Sequence, residues 1–61
     1  MRIHIVLAEF NEELEHYQWR AVKAFLLEEE ADEYAYKIYS DGCVGNKRVT
    51  DSRVDEVVLE D

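Results

Sequence analysis

His4, His16 and Cys43 carry the softest donor atoms in the chain. A metal centre or a nucleophile would have to be built from them. A structural zinc site needs about four ligands, commonly in close pairs such as Cys-x2-Cys. These three stand isolated, so no metal is expected. Cys43 follows directly on a predicted helix C-terminus, where the dipole disfavours a thiolate, and no neighbour marks it as activated. No pair of carboxylates sits at a spacing that signals acid–base chemistry. The segment Gly42-Cys43-Val44-Gly45-Asn46-Lys47-Arg48 has two glycines and a basic pair. It lacks the Gly-x4-Gly-Lys-Ser/Thr order of a phosphate-binding loop. It reads as a solvated connection, with Lys47 and Arg48 able to anchor an acidic partner site. The expectation is no catalytic residue, no cofactor and no enzymatic activity.

The carboxylates are the more informative set. The chain has 61 residues, 15 acidic and 7 basic, for a net charge of −8. Phosphates demand Lys and Arg, so direct nucleic-acid binding is disfavoured. A protein with a basic surface is the better electrostatic match. Residues 28 to 41 hold six acids and one base, a net of −5 and most of the total. Glu28, Glu29, Glu30, Asp32 and Glu33, with Tyr36 beside them, are the candidate partner-binding residues. Their plain alternative is a solvated helix face. Such a face can also imitate nucleic acid in part, since a helix of 14 residues is about 21 Å long.

One strand and one helix must position these residues. Side chains of a strand alternate between its two faces. In Ile3 to Phe10, Ile3, Ile5 and Leu7 share one face, while Val6, Ala8 and Phe10 share the other. Both faces are apolar, and one helix covers only one side of a sheet. The second side is therefore expected to meet another copy or a partner. Val6, Ala8, Phe10 and Trp19 are the candidate oligomer interface; Trp19 is equally readable as core. A chain of about 60 residues is marginally stable alone, and a single Cys allows no internal disulfide. A homodimer fits both facts.

A polar loop, Asn11 to His16, with a short helical turn at Glu12 to Glu15, is read after strand one. Strand two follows from Tyr17 to Phe25, with Tyr17, Trp19, Ala21 and Phe25 on one face. The helix is predicted from Leu27 to Ser40, with Leu27, Ala31, Tyr34, Ala35 and Ile38 as its apolar stripe. Glu28 to Glu30 suit its first turn, and Gly42 suits the left-handed position after its end. A loop from Cys43 to Ser52, able to hide a short strand at Arg48 to Thr50, leads to a third strand at Arg53 to Leu59. The fold expected is a single α+β domain over residues 1–61. It is ββαβ, with a three-stranded, mainly antiparallel sheet in the order 2-1-3 and one helix on one face. No apolar run is long enough to span a membrane. His4 and Glu9 interrupt any signal-peptide core, and the single Cys suits a reducing compartment. A cytoplasmic protein is expected.

The opening Arg2-Ile-His-Ile-Val6, the second strand ending in Phe25, and the acidic helix with Ala31-Asp-Glu-Tyr34-Ala35 resemble a recurring class of small bacteriophage accessory proteins. The resemblance covers about the first forty residues. It departs at Leu26, where that class usually has a helix-capping Ser, Thr or Asp. It implies a phage product in the host cytoplasm that inhibits or redirects a host protein, such as a defence or nucleic-acid-processing factor, by stoichiometric binding. The alternative is a small ligand-binding module or enzyme subunit.

Overall fold

The alternation that begins at Arg2 continues past Phe10. In a computed structural model, which describes residues 1–13 and 16–60, strand β1 runs Arg2–Glu13 and strand β2 runs His16–Phe25. Helix α1 follows at Glu28–Asp41, then β3 at Cys43–Val44 and β4 at Lys47–Val58. The four strands form one antiparallel sheet in the order β2-β1-β4-β3. The expected 2-1-3 order holds for β2, β1 and β4, and the most apolar strand is central. The sheet has a fourth strand, because the expected Cys43–Ser52 loop is a hairpin. Its turn is Gly45-Asn46, with Val44 paired to Lys47 and a positive φ of 62° at Gly45. The helical turn expected at Glu12 to Glu15 gives way to strand as far as Glu13. Its last two positions lie outside the described residues.

Twelve residues of strand span about 40 Å. The molecule is accordingly 42 Å long and only 20 by 15 Å across. Helix α1, about 21 Å long, covers roughly half of the sheet's length. Leu27 has extended backbone at its N-cap and makes no side-chain cap. The acidic first turn of Glu28, Glu29 and Glu30 sits where the dipole favours negative charge. At the other end Gly42 takes a φ of 75°, its N–H donates to the Ile38 carbonyl at 3.0 Å, and its own carbonyl accepts from Val49 N–H at 2.9 Å. One glycine thus stops the helix and fastens it to β4.

The core lies between the helix and one face of the sheet. It joins Val6, Ala8 and Phe10 of β1 to Ala31, Ala35 and Ile38 of the helix and Val49 of β4, with Val22, Phe25, Tyr34, Val44 and Val54 packed around them. This corrects the expected interface. Val6, Ala8 and Phe10 are buried beneath the helix and offer no surface to another chain. Ala31 and Ala35 of the helix share one buried cluster with Val6 and Ala8, and small side chains on both layers let helix and sheet approach. Ile3, Ile5 and Leu7 are bulkier and lie on the far side. Leu27, expected in the helix stripe, is the exposed N-cap instead.

Candidate functional surface

The register places a defined set of residues on the sheet face away from the helix. Leu7 pairs with Ala21 and Arg53, Ile5 with Ala24 and Asp55, Ile3 with Val57, and Glu9 with Trp19 and Asp51. Paired residues of adjacent strands share a face. The face is therefore apolar around Ile3, Ile5, Leu7, Ala21, Ala24 and Val57. It is charged around Glu9, Asp51, Arg53 and Asp55. Among the described residues, the only helix packs on the opposite face.

The apolar half continues around the end of the sheet. The N–H of Leu59 donates to the Met1 carbonyl at 2.8 Å, and Arg2 pairs with Val58. Phe25, the partner of His4, leads into Leu26 and Leu27. Met1, Leu26, Leu27, Val58 and Leu59 are all exposed. Large apolar side chains gathered in this way mark interaction surfaces more often than scattered ones do.

Trp19 is resolved by this geometry. It lies on the open face, is 39% exposed, and has the Arg53 guanidinium carbon 5.0 Å from its ring centre. It is not core. Phe25, expected on the same face, is not there. The register between β1 and β2 shifts between Val6 and Leu7, which makes Val22 an extra residue. Such a bulge reverses the alternation beyond it. Lys23 and Phe25 consequently face the helix. A second shift, between Glu9 and Phe10, makes Thr50 the extra residue of β4. Its Oγ1 lies 2.9 Å from Glu9 Oε1 and 3.1 Å from the Glu9 carbonyl oxygen, so its proton serves one acceptor at a time.

The helix presents the expected acids. Glu28, Glu29, Glu30, Asp32 and Glu33 are exposed, and Tyr36 is 73% exposed. With Ala31, Ala35 and Ile38 turned inward, helical periodicity puts Glu29, Glu33 and Tyr36 opposite them. Glu30 and Glu33 also line a shallow cleft of about 280 Å³ with Phe25, Tyr34 and Lys37. The Phe25 and Tyr34 ring centres are 5.4 Å apart, and the Lys23 ammonium lies 5.1 Å and 5.4 Å from them. Sequence reasoning missed this cleft because it placed Phe25 on the other face.

The structure does not bring the soft donors together. His4 is buried on the helix side of β1, His16 opens β2, and Cys43 is exposed in β3. Among the described residues, no three His, Cys, Asp or Glu side chains are grouped to hold a metal ion. No helix of the described residues is long and apolar enough to cross a membrane. No protein family, curated protein or solved structure matches the chain.

Proposed function

We propose that this protein works by stoichiometric binding to a protein partner with a basic surface, in the cytoplasm. The observation that carries this reading is the open sheet face, with Ile3, Ile5, Leu7 and Val57 at its centre and Trp19 beside them. Burying that face against a partner removes apolar area from water, at about 25 cal/mol per Å² before the costs of association. The charged rim selects the partner. Glu9, Asp51 and Asp55 are acidic, and Arg53 is already engaged by Asp55 at 3.4 Å and by Trp19. The helix adds its exposed acids. A partner with an apolar patch rimmed by Lys or Arg complements the sheet face, and a basic surface complements the helix acids on the opposite side. Where that basic surface also binds nucleic acid, the acidic helix competes for it. Inhibition or redirection of a host factor by a phage product, the setting the sequence resemblance implies, is one use of such a surface.

A second copy of the chain suits the face less well. Each copy brings a net charge of −8 and the same acids to the contact. Like charge across an interface opposes pairing.

Titration tests this reading. Tagged protein is used to capture proteins from lysate after nuclease treatment, at low and high salt. The activity of the captured factor is then followed as the chain is added. Retention that weakens with salt, and inhibition that saturates at a fixed molar ratio, support the proposal. Complete inactivation by a substoichiometric amount contradicts it and points to turnover. Sedimentation of the isolated chain at micromolar concentration should give a monomer; a stable dimer would assign the face to a second copy.

A further inference from the structure

The cleft between β2 and the helix has a composition that the open sheet face lacks. Two aromatic rings, Phe25 and Tyr34, form its walls, and Glu30, Glu33 and Lys37 complete it. The lining has two negative charges against one positive. Lys23 does not line the cleft, but its ammonium lies 5.1 Å from the Phe25 ring centre and 5.4 Å from that of Tyr34. A cation already held over two ring faces shows what the site attracts. The attraction comes from the negative ring faces and the neighbouring carboxylates acting together.

Lys23 is an exposed residue on a flexible stem and can turn into water. Its ammonium is compact and strongly hydrated. A guanidinium is planar, more weakly hydrated, stacks on aromatic faces, and reaches carboxylates with several donors at once. At about 280 Å³ the cleft lies below the range of sites for drug-sized ligands. It is of a size for one side chain. The alternation reversed by the Val22 bulge is what brings Lys23 and Phe25 to this side, opposite Tyr34.

We propose that the Phe25–Tyr34 cleft is a seat for an arginine side chain of the partner, which stacks on the two rings from the open side and competes with Lys23 for them. This rests on the reading of the acidic helix as a docking surface, and it names the side chain that anchors there. The seat can be tested without the partner, so its failure and the failure of the partner reading are distinguishable.

The probe is N-acetyl-arginine methylamide, titrated into the intact protein while the ring proton signals of Phe25 and Tyr34 are followed by NMR. N-acetyl-citrulline methylamide, neutral and of similar shape, is the control. The arginine compound should shift both rings and the citrulline compound should not. Lys23→Met should tighten binding by about threefold, and Glu33→Gln should weaken it by about the same factor, the scale of one exposed cation–π or ion contact. Both substitutions are at exposed positions, and backbone amide spectra check that the fold is kept. Equal shifts from both compounds, or arginine binding that Lys23→Met leaves unchanged or weakens, would overturn the proposal.

Discussion

The Arg53 guanidinium carbon lies 5.0 Å from the Trp19 ring centre, with the central strand between them. β4 and β2 each contribute one partner, and Leu7 and Glu9 of β1 lie beneath. An exposed cation–π contact contributes about 0.5–1 kcal/mol. Arg53→Ala should therefore lower the unfolding free energy by no more than about that amount, measured by urea titration. The same substitution should shift Trp19 fluorescence to the red, since it uncovers the ring.

Ser52 fastens the helix to the sheet. Its hydroxyl donates to the Ala35 carbonyl at 2.9 Å in a half-buried position. Ser52→Ala removes that hydrogen bond and should cost about 1 kcal/mol in urea unfolding.

Small residues from both the helix and the sheet are buried in the core. Ala31 is fully buried, as are Val6 and Ala8. Ala31→Leu adds volume at a fully buried position, and overpacking of this kind typically costs about 1–3 kcal/mol. A larger loss of stability than from Ser52→Ala is the expected order, and thermal melts of the two variants check it.

The role proposed for the acidic helix is in association. Glu29 and Glu33 are exposed and lie away from the buried stripe. Changing both to Lys should leave circular dichroism unchanged and slow partner association at low salt. Electrostatic steering raises on-rates in that regime and is screened as ionic strength rises. The gap between wild type and variant should narrow at high salt. If affinity is the same at every salt concentration, the acids serve only solubility.

Much of this architecture is legible in the residues. The apolar run from Ile3 to Phe10 reads as the central strand, the spacing of Ala31, Ala35 and Ile38 as the helix face, and Gly42 as the helix stop. The covered face of β1 does not read as clearly. Ile3, Ile5 and Leu7 are at least as apolar as Val6, Ala8 and Phe10, and hydropathy cannot separate them. Where the helix lands decides it: Val6, Ala8 and Phe10 are buried with Ala31, Ala35 and Ile38. The β2 pattern misleads past Ala21 because Val22 is an extra residue, which turns Phe25 from the Trp19 face to the helix face. Lys23 interrupts the alternation in the sequence, and that was the available sign. The β3–β4 hairpin also had a sign, a Gly45-Asn46 pair suited to a two-residue turn. Lys47, Arg48 and Thr50, polar around a single Val49, masked the start of the strand that follows it.

Binding of a protein by the open sheet face is the proposal on which the rest depends. Leu7 lies at its centre, half-buried, with Ala21 and Arg53 on either side. The most direct measurement is quantitative capture from nuclease-treated lysate by wild type and by Leu7→Glu, with circular dichroism confirming that both are folded. Wild type should retain a partner in a salt-sensitive manner, and Leu7→Glu should lose it by at least about tenfold, the effect of about 1.4 kcal/mol at a buried contact. Equal retention of the same partner by a folded Leu7→Glu would contradict the proposal.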